Sequence, residues 1–214
     1  MYENRNTNEP VGRESRRRLA IESRKADALA AASLVFAEKG FHDAQVAEIA
    51  DAAELSLATL YSCFGGKEDL YREVVRGTAL RIRDGVRGRV DAVDEPREKL
   101  LTVVDALLEC FEQDRTTVQT LLSGTFGFPW RIQEKLRDSS DLLQDFRAWV
   151  VELSRAAVES DPRCDVAPKS LAAVIIGGVT TSVAWALESD DPAALRASAK
   201  PLRLVVERIL GDAS

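Results

Sequence analysis

Wherever apolar residues gather in this chain they return every three or four positions, and no segment sustains a period-two alternation. A helix brings i, i+3, i+4 and i+7 onto one face, whereas a strand brings i and i+2 there, so the pattern specifies helices throughout. Leu29, Ala32, Val35 and Phe36 form such a stripe in a helix predicted over residues 16–39. Lys39-Gly40 ends it, because glycine accepts the left-handed conformation just past a helix terminus. Val46, Ile49, Ala50 and Ala53 mark a short second helix, with Asp43 ahead of it as the expected cap. A third runs from its cap Ser56 to Phe64, where Gly65-Gly66 breaks it. Lys67-Glu68-Asp69 then opens a long fourth helix with acids in its first turn, where the helix dipole favours them.

The same spacing continues downstream. Pro96 suits a helix start, and Leu100, Val104, Leu107, Leu108 and Phe111 form the face that follows. The run from Gly124 to Trp130 interrupts the period, which resumes through Phe146, Trp149, Val150, Leu153 and Ala157. After the turn at Ser160-Asp161-Pro162-Arg163 come two last stripes. The first is Leu171, Val174, Ile175, Gly178, Val179, Ser182 and Trp185; the second is Leu202, Val205, Val206 and Ile209. The expected fold is therefore all-α. Residues 1–14 form a disordered arm, 15–66 a three-helix helix-turn-helix DNA-binding domain, and 67–214 a larger helical ligand-binding and dimerisation domain.

Several function classes find no residues to serve them. The single histidine, His42, and the scattered Cys63, Cys110 and Cys164 supply neither a zinc ligand set nor a catalytic triad, so no metal is expected and the chain is not read as an enzyme. Gly65-Gly66-Lys67 lacks the rest of a phosphate loop, and Asp190-Asp191 sits in a turn before Pro192. No cofactor is called for. The N-terminus has no apolar core of a secretory signal. The run Leu171 to Leu187 is broken by Gly177, Gly178, Thr180, Thr181 and Ser182, and is shorter than the ~20 apolar residues of a membrane span. A cytoplasmic protein without a membrane partner is expected.

A net charge of −6 argues against non-specific nucleic-acid binding, but the charge is unevenly placed. Arg13, Arg16, Arg17, Arg18, Arg24 and Lys25 stand against only Glu14 and Glu22, beside the three short helices. Such a run is either a solvated face or a contact to DNA phosphates. Helices this short are stable only when their stripes bury against one another. Leu29, Ala32, Val35, Phe36, Val46, Ile49, Ala50, Leu55, Leu60 and Phe64 would face inward. That leaves Ser56, Leu57, Thr59, Tyr61 and Ser62 outward on the third helix. An outward face with hydroxyls and no charge fits a helix laid in the major groove, where Leu57, Ala58 or the Thr59 methyl can meet thymine methyls.

Lys39-Gly40-Phe41, Val46 to Ala53, Ser56, Thr59-Leu60-Tyr61, Phe64 and Lys67-Glu68-Asp69-Leu70 resemble the N-terminal domain of the TetR family of repressors. The resemblance covers roughly residues 23–75. It implies a homodimer that binds a palindromic double-stranded operator and leaves it when a small-molecule effector occupies the C-terminal domain. By position, Thr59 and Tyr61 match DNA-contacting residues and Lys67 a phosphate contact; Gln45 and Arg16 to Arg18 are placed with them. Four positions depart from the family pattern. Glu54 and Ala58 replace glycines, Cys63 replaces an aromatic residue or histidine, and Ala44 replaces a capping threonine. A non-glycine residue in the left-handed region costs about 1–2 kcal/mol, so the turn at Glu54 is expected to differ. These departures keep a second reading open: a helical interaction protein of this fold that has lost specific operator binding.

For the effector, Phe111, Phe126, Phe128, Trp130, Phe146 and Trp149 are the candidate ligand-binding residues; the cluster at 126–130 is equally readable as core at a helix break. For dimerisation, Val174, Ile175, Gly178, Val179, Ser182 and Trp185 with Leu202, Val205, Val206 and Ile209 would form a four-helix interface about a two-fold axis. Two recognition helices spaced about 34–36 Å or somewhat more could then read two half-sites.

Overall fold

A computed structural model describes residues 12–113, 137–188 and 194–211. The described residues are helical with no strand, as the periodicity requires. They fall into two compact units, divided between Tyr71 and Arg72.

In the first unit, α1 (Arg13–Asp43) packs on α2 (Val46–Ala52) and α3 (Leu57–Phe64). α1 begins three residues before the predicted start, so the basic stretch from Arg13 to Lys25 is helical and wholly exposed. Gly40, at φ 74° and ψ 173°, breaks the helix where predicted, and one further turn carries the chain to Asp43. Asp43 is therefore part of α1 and does not cap α2. Gln45 takes that place, and the Glu48 carboxylate accepts its N–H at 3.3 Å.

The core contains Phe36, Ile49, Ala50, Leu60 and Phe64 as expected, together with Ala28, Ala31 and Ala44, which let the helices approach closely. Leu29, Val35, Val46 and Leu55 are only half-buried. Tyr71, in the opening turns of α4 (Lys67–Val90), closes this core. Its ring meets Phe36 and Phe41 edge-on, with centroids 4.9 and 5.1 Å away. Edge-to-face pairs of this kind add about 0.5–1.5 kcal/mol beyond area burial.

The second unit holds the rest of α4 and α5 (Pro96–Gln113), α6 (Arg137–Glu159), α7 (Pro168–Glu188) and α8 (Ala194–Ile209). α5 touches α6, α7 and α8, and buries a broad apolar face made of Leu100, Leu101, Val103, Val104, Ala106, Leu107, Leu108 and Phe111, with its charged residues on the remaining side. Its ends are tied by charge. The Arg97 guanidinium donates to the Glu207 carbonyl at 3.1 Å, supplying one of the donors that the last turn of α8 lacks. Arg203 of α8 pairs with Asp105 and, at 3.2 Å, with Glu98.

Two placements correct the expected dimer face. Ile175, Val179 and Val206 are 0%, 1% and 0% exposed, and belong to the core of a single subunit. A β-carbon on Gly178 would stand 2.5 Å from Leu202 Cδ1, so this glycine serves the close approach of α7 and α8 within one chain. Leu202 and Ile209 pack partly buried on the same core, and Ser182 is half-buried. Val174, Trp185 and Val205 do stand outside, joined by Leu204. α7 is long and apolar enough to span a membrane by length and composition, but its Leu171, Ile175, Val179 and Val183 stripe is core.

Candidate nucleic-acid interface and ligand cavity

The third helix is set by its cap and its turn. Ser56 Oγ accepts the Thr59 N–H at 3.1 Å and shares a 2.7 Å hydrogen bond with the Thr59 hydroxyl. Both hydroxyls proposed for DNA are thus engaged with each other, and Thr59 is half-buried. Ser62 Oγ donates back to the Thr59 carbonyl at 2.7 Å. Leu60 and Phe64 point inward, which turns Leu57, Ala58, Tyr61 and Ser62 to solvent. Tyr61 is 46% and Leu57 44% exposed, so neither is spent on the domain core. The outward face carries no charge, as the sequence indicated.

The turn before α3 departs from expectation. Glu54 itself adopts the left-handed conformation, at φ 54°. The geometry that glycine would take at no cost is kept, closed by the Leu55 N–H on the Ala50 carbonyl at 2.9 Å. The strain is carried by a glutamate whose side chain is exposed.

Lys67 is less free than a bare phosphate contact would be. Its Nζ donates to the His42 carbonyl at 2.9 Å and sits 4.7 Å from the centroid of the Phe41 ring. It holds the turn after Gly40 and keeps further ammonium protons for an anion. A link not foreseen from the sequence joins α1 to α2. Lys39 Nζ lies 2.7 Å from Glu48, which holds the carboxyl below and the ammonium above their ordinary values. Ala44 is fully buried and Cys63 half-buried, so neither reaches out to a phosphate. Gln45 is exposed, as are Arg16, Arg17 and Arg18 on the first turns of α1, where Arg18 approaches Glu22 at 3.9 Å.

The second unit contains a cavity of about 300 Å³ between α4, α5, α6 and α7. Phe111 and Phe146 line it, as expected, beside Ala79, Ile82, Leu107, Leu142, Leu143 and Ile176. Trp149 does not. It neighbours Phe146 at 5.5 Å and lies under the Arg87 guanidinium at 5.1 Å. Phe126, Phe128 and Trp130 lie outside the described residues. The polar part of the wall, Arg83, Arg147 and Thr180, was not foreseen from the sequence. Its signal was an arginine set beside an apolar stripe, a pattern that solvated helix edges also show.

The described residues thus form a unit of helices joined by tight turns, followed in the chain by a helical unit with a cavity. Residues 28–74 match the sequence pattern of "Bacterial regulatory proteins, tetR family". The chain belongs to that family through this N-terminal domain. Over 144 residues it is 34% identical to the HTH-type transcriptional activator FasR of Mycolicibacterium smegmatis, covering 67% of this chain and 66% of that one. Over 98 residues it is 32% identical to the HTH-type transcriptional repressor KstR2 of Mycobacterium tuberculosis, covering 46% and 49%. The matched stretches thus span between about half and just under two thirds of these relatives. The fatty acid regulator FadR from Bacillus subtilis, solved with stearoyl-CoA, superposes with a TM-score of 0.74 at 17% identity, over 85% of this chain and 96% of that one. At that identity the likeness is one of fold.

Proposed function

We propose that this protein is a cytoplasmic, homodimeric transcriptional regulator that represses from a palindromic operator and is released when a small molecule fills the cavity of the second unit. The observation that carries the reading is the uncharged outward face of α3, with Leu57, Tyr61 and Ser62 exposed on a helix fixed by its Ser56 cap. Such a face gains little from water and much from base edges. Lys67 and Arg16 to Arg18 supply the phosphate contacts that position it. Release follows from α4, whose first turn carries Lys67 and whose later turns carry the cavity residues Ala79, Ile82 and Arg83. A ligand that binds one position of α4 better than another shifts the population of DNA-competent dimers. Among the described residues, the exposed Val174, Trp185, Leu204 and Val205 are the candidates for association on α7 and α8.

The test is a mobility shift with DNA from upstream of the protein's own gene. A specific complex that weakens as salt rises is expected. A protein that is folded and dimeric, yet shifts no fragment over competitor DNA, would be the interaction protein of the alternative reading. Because one relative is named an activator and another a repressor, a reporter fused to the shifted fragment fixes the sign of control.

A further inference from the structure

Two lysines stand at the turn around Gly40, and only one of them is neutralised. Lys39 Nζ lies 2.7 Å from the Glu48 carboxylate. Lys67, the first residue of α4, pairs with no carboxylate among the described residues, although Glu68 and Asp69 follow it directly. Its Nζ is held by neutral groups instead, donating to the His42 carbonyl at 2.9 Å and standing 4.7 Å from the centroid of the Phe41 ring. That ring is itself fixed. Phe41 stacks on Phe36 at 6.0 Å and meets Tyr71 edge-on at 5.1 Å, and both partners are buried. Gly40, at φ 74°, breaks α1 just before it and lets the ring fold back onto this core. Lys67 is half-buried, and an ammonium held by a carbonyl and a ring keeps its full charge and two of its three protons.

We infer that Phe41 is a positioning residue for DNA binding: its ring fixes the Lys67 ammonium in one place, from which the two remaining protons meet a backbone phosphate. The inference rests on the proposed DNA-binding reading, in which Lys67 is a phosphate contact, and adds a residue that acts through it. A ring face attracts an ammonium through its quadrupole and leaves the charge in place, whereas a carboxylate at the same spot would compete with the phosphate. Lys39, its charge met by Glu48, is excluded from the role on that ground. A free lysine gives up its rotamers when it takes a phosphate, which costs about two- to tenfold in affinity. Lys67 has given up that freedom already, when the first unit folds around Phe41.

Fluorescence anisotropy of the full-length protein tests this on two labelled duplexes over a range of salt: the fragment from upstream of its own gene and a scrambled sequence of equal length. A phosphate contact carries no sequence information, so both duplexes report on it. Phe41→Leu should weaken binding about two- to tenfold per half-site. It should leave the slope of log affinity against log salt unchanged, because the lysine still neutralises its phosphate. Lys67→Met should weaken binding and also flatten that slope, by about 0.9 per half-site. In the Lys67→Met background, Phe41→Leu should cost nothing further. Phe41→Tyr keeps the ring and should bind as the wild type does. Circular dichroism checks native helicity in each variant, and Phe41→Met, which keeps bulk without the ring, repeats the cycle should leucine disturb it. An unchanged salt slope for Lys67→Met overturns the inference. So does a Phe41→Leu loss as large without Lys67 as with it, the result a merely structural ring would give. A wild type that binds both duplexes equally loses the specific regulator, while the cycle on either duplex still decides the role of Phe41.

Discussion

Replacing Glu54 by glycine isolates the strain in the turn between the two short helices. Glu54 stands at φ 54°, where a β-carbon costs about 1–2 kcal/mol. Glycine removes that cost but returns about 0.5–1 kcal/mol to the unfolded state through its extra backbone freedom. The Glu54 side chain is exposed, so its loss subtracts little packing. The difference is a stabilisation of about 0.5–1 kcal/mol, confined to the first unit. Trp130, Trp149 and Trp185 all follow Tyr71, so tryptophan fluorescence reports on the second unit and should not change. Hydrogen exchange of peptides covering 46–64 reports on the turn, and their protection should rise about two- to fivefold if these amides exchange through opening of the unit. Glu54→Ala keeps the β-carbon and should give no such gain. A gain from alanine equal to that from glycine would show that the side chain, and not the backbone, carries the cost. No gain from glycine would show that the turn is unstrained.

Tyr61→Ala should weaken specific operator binding by about 1–3 kcal/mol with helicity and dimerisation intact; unchanged affinity in a titrated mobility shift would remove α3 from the groove. Deleting residues 1–18 should flatten the slope of log affinity against log salt by about 0.9 for each phosphate no longer neutralised, and an identical slope would place the arginines in solvent. Asp161, hydrogen-bonded by the Arg163 guanidinium and then by its N–H, is held down to about 2. Whatever stability this pair contributes is full above the ordinary carboxylate range near about 4 and lost as pH falls through about 2. A carboxyl resonance titrating near 2 in the native protein, and higher in Arg163→Gln, is the expected result. Val205→Glu, at a site 47% exposed, should yield folded monomers by sedimentation, whereas Val179→Glu, at a site 1% exposed, should lose helicity before any question of association arises.

The first unit was legible because its signals are local. Gly40, Ser56 and Gly65 each end or cap a helix through a single residue's backbone preference, and the structure places all three where the sequence did. The cap at Asp43 was misread for the same reason: a good capping residue lay two positions early, and the chain needed one more turn to bury Ala44 and bring Phe41 onto Tyr71. Glu54 shows the limit of local preference. The packing of α2 on α3 fixes the turn, and the residue occupying it follows at a cost. The cavity was half legible. Phe111 and Phe146 announced themselves by size, but Arg83 and Arg147 come from helices far apart in sequence, and only packing brings them to one wall.

The stripe on α7 shows why periodicity alone misassigned the association surface. Burial against α5 and burial against a second subunit both demand apolar residues at helical spacing, so a helix serving both is apolar over more than one face. Leu171, Ile175, Val179 and Val183 take the inner one, while Val174 and Trp185, 39% and 69% exposed, take the outer. On α8 the division is sharper, since Val205 and Val206 are neighbours in sequence yet 47% and 0% exposed. Gly178 belongs to neither apolar face: its missing side chain sets the distance between α7 and α8, with Leu202 filling the space. Ile175, Val179, Gly178 and Val206 therefore govern whether one subunit holds together. Val174, Trp185, Leu204 and Val205 are exposed, and the two-fold partner proposed above, presenting the same residues, would cover them.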